Sequence, residues 1–404
     1  MASERSLKTR SDRIFDFAAL CTWLTASVAM AGTSLILYGQ DFRGYYAAAR
    51  VLLSGGNPYD YGQLAPILLE ATGHVGNNPY YYAPWFAWLV TPFAALPFEP
   101  ARAAWMLFNL LVWCAALWQL SRLLGWPETG RARWLMFLLA TFLFAWITWR
   151  YEQTGILLFA LMVAALEALR RGRWGWAGLW LALLLVKPNI SLIPVTAISL
   201  WLLLRGHWQP VVVTTGIVMA LFAAASLITP GWYEPLLQPG FGSGLVSVLD
   251  GPDRVVGVRV NSTLLDWLTT FGVSRGWRAG IYVVAAAAGA AILLGVVLQT
   301  RSLLLAANTS LLVGFAITPY ALQYDFPPLT LPLFWSLAVL APSRQGRWVA
   351  ASIGLFLASV LIWERPISDA YWMVIALTAL TFWSWKYTKI TTLDGPGVFI
   401  GSIK

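Results

Sequence analysis

Long apolar runs alternate along this chain with short segments that collect charge, glycine and proline. The runs lie at about 15–38, 102–121, 134–150, 153–170, 174–187, 189–204, 209–228, 279–299, 303–319, 327–341, 348–363 and 369–386. They are continuous rather than alternating with period two, which predicts helices and not barrel strands. A hydrocarbon core about 30 Å thick takes roughly 20 apolar residues as a helix, and within it each backbone polar group must be satisfied inside its own segment. The pattern predicts an all-α polytopic membrane protein, one transmembrane domain over 1–404 with about twelve spans.

Three stretches depart from plain spans. Residues 80–98 are apolar, but Pro84, Pro92 and Pro97 punctuate them and their aromatics suit an interfacial belt; a helix lying on the outer surface is expected. The run 174–204 is interrupted by Lys187-Pro188. Proline removes a backbone donor and breaks a helix, so two short helices meeting at the outer face are expected, not one helix burying a lysine. Ala29-Met30-Ala31 resembles a signal-cleavage site, yet the first run continues to Leu37, longer than a signal core needs. It reads as a retained first helix.

Composition agrees: 59% of the residues are apolar and 11% charged, against about 25% charged in soluble domains. The net charge of +9 raises the question of nucleic acid, but the basic residues cluster in short loops between runs. With both termini cytoplasmic, the inner segments hold 17 of the 27 Lys and Arg, the orientation that the positive-inside bias favours. A membrane partner is expected and a nucleic-acid partner is not. The long segments 39–101 and 229–278 then face outward, and with the short outer turns they hold 12 of the 18 carboxylates, so function belongs on the outer face. Cys21 and Cys114 sit inside apolar runs, and only two histidines are present. No disulfide framework, metal site or cofactor is expected.

Asp41 is the most informative residue. It follows the first run, in Asp41-Phe42-Arg43-Gly44-Tyr45-Tyr46, ahead of the turn Asn57-Pro58-Tyr59-Asp60. A charge at the bilayer edge is costly and marks function by default; the bland alternative is an N-cap for a helix beginning near Tyr45. A small-residue helix over 45–53 followed by Gly55-Gly56-Asn57-Pro58 would fold back toward the membrane and fix the carboxylate there.

The 41–60 pattern resembles the first outer loop of glycosyltransferase family 87, the polyprenyl-phosphate-mannose-dependent mannosyltransferases of the GT-C superfamily. Tyr82-Ala83-Pro84-Trp85 through Leu96-Pro97 resembles that loop's second surface helix. Glu152-Gln153-Thr154-Gly155 resembles a Gly-Gln-x-Asn element, with Glu152 where members often carry glycine. Leu185-Val186-Lys187-Pro188 resembles Leu-x-Lys-Pro, Arg259 to Leu264 an Asn-x-Ser-Leu element, and Thr318-Pro319-Tyr320 to Asp325 the last outer motif, here without a histidine.

The resemblance implies a GT-C type fold with surface helices in a catalytic first loop (39–101) and a large outer loop (229–278). It implies inverting, metal-independent transfer of a sugar, mannose by resemblance, from a polyprenyl-phosphate donor to an acceptor hydroxyl on a lipid or glycan. Asp41 would be the general base. Lys187, Arg259, Arg43 and Asn261 would hold the donor phosphate, where fixed cations act best with water excluded. Tyr45, Tyr46, Gln153, Tyr320, Gln323 and Asp325 would line the substrate site. Several candidates have a plain alternative: Lys187 snorkelling to the interface, Asp325 capping the helix near Pro327, Arg254 and Arg259 solvated in a loop, and Trp85 and Trp232 packing rather than stacking on sugar. The Gly240-x-Gly242-x-Gly244 run reads as a hinge. The competing functional readings are a transporter or flippase for lipid-linked sugars and an oligosaccharide polymerase or ligase.

Overall fold

The computed structural model of the protein describes residues 10–36, 41–73, 80–125, 130–234, 263–340 and 371–388. The run at 348–363, and Arg254, Arg259, Asn261 and the Gly240 run, lie outside the described residues. Within them every regular element is helical and no strand forms.

Helix α1 covers Arg10–Ile36. The segment after it folds as three short helices: α2 (Phe42–Leu53), α3 (Tyr61–Thr72) and α4 (Pro84–Ala94). Helix α2 starts three residues earlier than its sequence pattern predicts, and α3 was not anticipated. The polar signals that start α3 are local: Asn57 Oδ1 accepts from Tyr59 N at 3.0 Å, and Asp60 Oδ1 caps the helix by accepting from Gly62 N at 2.9 Å. Pro84 opens α4 at the position where a missing N–H is harmless. Its 11 residues, at about 1.5 Å each, reach about half the thickness of a hydrocarbon core. The buried Gly44, Ala47, Ala48 and Ala49 let α2 pack closely on α4.

The remaining helices are α5 (Phe98–Leu123), α6 (Gly130–Ala140), α7 (Trp146–Arg150), α8 (Gly155–Arg170), α9 (Trp174–Leu184), α10 (Pro188–Leu203) and α11 (Gln209–Ile228). After them come α12 (Leu264–Thr270), α13 (Arg275–Gln299), α14 (Leu303–Ile317), α15 (Thr330–Leu340) and α16 (Tyr371–Thr388). A π-helical turn at Thr141–Ala145 joins α6 to α7. Thr141 Oγ1 donates to Phe137 O there and accepts from Trp23 Nε1 and Trp113 Nε1 at 3.1 and 2.8 Å, fastening α1, α5 and α6 together.

Four helices, covering 11–36, 98–123, 209–228 and 275–299, are long and apolar enough to cross a membrane. The other apolar runs within the described residues form shorter apolar helices or, at 130–150, a helix interrupted by the π turn. The 174–204 run does divide, with α9 ending at Leu184 and α10 starting at Pro188. Helices α11 and α13 leave large apolar side chains such as Met219, Leu227, Val283 and Val284 more than 60% exposed, the condition of helices that face lipid. Helix α8 is the opposite: most of its residues are buried and only Arg170 is exposed, and it packs against α5 and α9. Its N-terminus and the start of α2 carry the site.

Candidate active site

Asp41 stands at the N-terminus of α2, but its side chain does not cap the helix. Its backbone carbonyl accepts from Gly44 N at 3.1 Å, while the carboxylate turns inward and accepts from Gln153 Nε2 at 2.5 Å. The capping alternative therefore fails. Burial pushes the Asp41 carboxyl above its ordinary range, against the Gln153 hydrogen bond and the nearby Lys187 and Arg43 charges, with Asp325 adding to the rise. Arg43 follows on the first turn of α2, its Nε buried and without a hydrogen bond among the described residues.

Gln153 belongs to the turn between α7 and α8. Its Oε1 lies 2.8 Å from Tyr45 Oη and 2.6 Å from Tyr82 Oη, the two phenol oxygens being 2.8 Å apart. The turn depends on Glu152, the single non-glycine residue with positive φ (57°) among the described residues. Glycine takes that conformation freely and a larger residue does so at a cost. Here Glu152 is held by its partners. Its carbonyl accepts from Trp105 Nε1 at 3.0 Å, and its Oε1 pairs with Arg102 Nε. Arg102 also donates to the carbonyls of Ser34 and Leu35 at 2.9 and 3.1 Å, so α1, α5 and the turn share one guanidinium. Burial raises the Glu152 carboxyl to about 7 in spite of Arg102.

The second half of the site is formed by the break between α9 and α10 and by residues 318–327. Lys187 is buried, and its Nζ donates to Asp325 Oδ1 at 2.5 Å. The ammonium also lies 5.3 and 5.2 Å from the ring centroids of Tyr82 and Tyr324, within cation–π range. Snorkelling is thereby excluded, and so is an unpaired cation: Lys187 already has a carboxylate. Asp325 Oδ2 accepts from Leu322 N at 3.1 Å, inside its own 3₁₀ turn and not at the helix after Pro327. This turn docks on the start of α8. Thr148 Oγ1 donates to Tyr324 O at 2.9 Å, and a Cβ at Gly155 would overlap that same carbonyl oxygen and the Pro327 ring. Gly155 is thus required by close backbone approach.

The remaining expected residues divide. Tyr45 is in the site through Gln153, but its hydroxyl is committed internally. Tyr46, about 100° further round the helix, points the other way; its Oη donates to Leu96 O at 3.1 Å and its ring packs on Phe98. It is a packing residue. Gln153 binds Asp41 rather than standing free for substrate. Tyr320 is partly exposed, but its phenol lies near Lys187 and Asp325 and hydrogen-bonds Tyr324, while its carbonyl accepts from Asn189 Nδ2; Gln323 is half-buried in the 3₁₀ turn. Trp85 and Trp232 are buried against Phe222, in packing positions. Tyr82, Arg102, Glu152 and Gly155 were not singled out as site residues by sequence. Tyr82, Glu152 and Gly155 lay inside the motifs that carry the resemblance, whereas Arg102 gave no signal of its own.

Residues 80–319, more than half of the chain, match the family model described as Glycosyltransferase family 87. No curated protein and no solved structure matches the chain. Asp41 and Asp325 lie outside the matched residues, yet each bonds to a residue inside them, Gln153 and Lys187 respectively.

Proposed function

The chain belongs to glycosyltransferase family 87 and is an enzyme that transfers sugars, and from that premise we propose that Asp41 is its general base. The donor is a sugar, mannose by family resemblance, joined through phosphate to a polyprenol lying in the bilayer, and the acceptor is a hydroxyl on a lipid or glycan. The acceptor oxygen attacks the anomeric carbon, the lipid phosphate departs, and the centre inverts. Asp41 takes the proton. Arg43 and Lys187 stabilise the charge growing on the phosphate, and no metal enters the step. The fold is of the GT-C type with about twelve spans and cytoplasmic termini. Its catalytic loop, 39–101, and its large loop, 229–278, lie on the outer face.

One observation carries this reading: the Asp41 carboxylate turns away from its helix into a polar cluster that also contains Lys187, Arg43 and Asp325. A carboxylate whose burial favours its protonated form, beside fixed cations, suits a group that must take a proton as an anion forms nearby. The test is transfer of radiolabelled sugar from polyprenyl-phosphate-mannose to a membrane lipid extract. Asp41→Asn should lower transfer by roughly 10²- to 10⁴-fold, the usual span of general-base catalysis. Thermal stability should stay at or above wild type, because burial already favours a neutral side chain there. Equal transfer by wild type and variant would remove Asp41 from the chemistry.

A further inference from the structure

Gln153 has two chemically different ends in two different surroundings. Its Nε2 faces Oδ2 of Asp41 at 2.5 Å, and its Oε1 faces the hydroxyls of Tyr45 and Tyr82 at 2.8 and 2.6 Å. An ionised carboxylate only accepts hydrogen bonds, and a phenol can donate. Turning the amide over would press its oxygen against the carboxylate and lose that bond, so the two tyrosines hold the donor end on Asp41. The rings support this: Tyr45 and Tyr82 meet edge to face with centroids 4.9 Å apart, and both pack on Phe86. A hydrogen bond from Nε2 to Oδ2 favours the ionised carboxylate and leaves Oδ1 without a side-chain hydrogen bond among the described residues.

We propose that Gln153, clamped by Tyr45 and Tyr82, is the positioning residue that keeps Asp41 ionised and presents its Oδ1 to the acceptor hydroxyl. This rests on Asp41 being the base. In the transfer step the acceptor O–H bond breaks and its proton goes to Oδ1. The acceptor oxygen forms a bond to the anomeric carbon, and the bond from that carbon to the lipid phosphate breaks with its electron pair passing to phosphate. Gln153 touches none of the reacting atoms; it acts through Asp41. The other charged or titratable groups around Asp41, besides Tyr45 and Tyr82, are Arg43 on α2, Lys187 at the α9–α10 break, Asp325 and Tyr324 from the 3₁₀ turn and Glu152, paired with Arg102. None of them changes in variants at 153.

The test uses the full-length protein in detergent, with polyprenyl-phosphate-mannose as donor and a membrane lipid extract as acceptor, and reads kcat, donor KM and the pH–rate profile. Gln153→Ala should lower kcat by roughly tenfold to a hundredfold, the scale of a misplaced catalytic group. Donor KM should be unchanged, and the ascending limb should move to higher pH. Gln153→Glu, nearly isosteric, should move the limb further, since two adjacent carboxylates share one proton. It keeps the test valid if the alanine variant folds poorly. Tyr45→Phe/Tyr82→Phe should shift the limb in the same direction by less. If Asp41→Asn is inactive while both Gln153 variants keep the wild-type kcat and limb, the role of Gln153 is overturned and the base stands. Robust transfer by Asp41→Asn overturns the base and, with it, the positioning role.

Discussion

Asp41 and Asp325 belong to one polar cluster and are held in opposite ways. Asp325 has a buried ammonium on Oδ1 and a backbone N–H on Oδ2, so both oxygens are taken and its partner is a full charge. Asp41 has a neutral amide on Oδ2 alone, and its cations act from a distance. A carboxylate locked to a lysine is a poor proton acceptor and a good structural pin, whereas one held by an amide keeps an oxygen for chemistry. The difference separates two acids that the sequence places in one candidate site.

The comparison breaks most forcefully at the ion pair. Asp325→Ala leaves Lys187 buried and unpaired, and removing one partner of a buried pair costs about 3–5 kcal/mol. A fall in thermal unfolding temperature should therefore come first, with lost transfer as its consequence. The double variant Lys187→Met/Asp325→Leu should recover much of that stability while transfer stays low, because the cation proposed to stabilise the phosphate is then missing. If Asp325→Ala unfolds like wild type, the pin reading is wrong.

A smaller effect comes from Glu152. Its folded carboxyl lies at about 7 against an ordinary 4.5, so between these values the folded state binds more protons than the unfolded chain, and stability falls as pH rises. The contribution is full below about 4.5 and is lost through about 7, at most about 3 kcal/mol. Unfolding temperature measured across this window should decline in wild type, and Glu152→Gln should flatten the decline. An unchanged slope in Glu152→Gln would place the titrating group elsewhere.

The smallest change joins the two halves. Gly155→Ala must displace the Tyr324 carbonyl or the Pro327 ring, an overpacking worth about 1–3 kcal/mol. Since this contact seats the turn carrying Asp325 on the helix that follows Gln153, transfer should fall more than stability does. Wild-type transfer in a stable Gly155→Ala variant would show that the halves need no such registration.

Sequence reached the helices because their signals are local. Continuous apolar runs, Pro188 after Lys187 and the prolines of 80–98 each act within a few residues, and the division at 187–188 and the short α4 followed. Helix α3 escaped because Leu64 and Leu68 sit in a segment whose polar ends look like loop, and its stability comes from packing on α2. Tyr45 and Tyr46 were indistinguishable as letters; a helix sends them to opposite surroundings. Lys187 was legible as a polar intrusion in an apolar run, but its partner lies 138 positions away.

The sequence by itself determined the membrane-type helical architecture, the family and the break at Lys187-Pro188, because hydrophobic runs, proline and motif order are written along the chain. Only the tertiary structure decided which of those residues meet. Gln153 reaches Asp41 across 112 positions and Lys187 reaches Asp325 across 138. Hydrogen bonds and ion pairs act over a few ångströms in space, and what comes that close is set by how the helices pack.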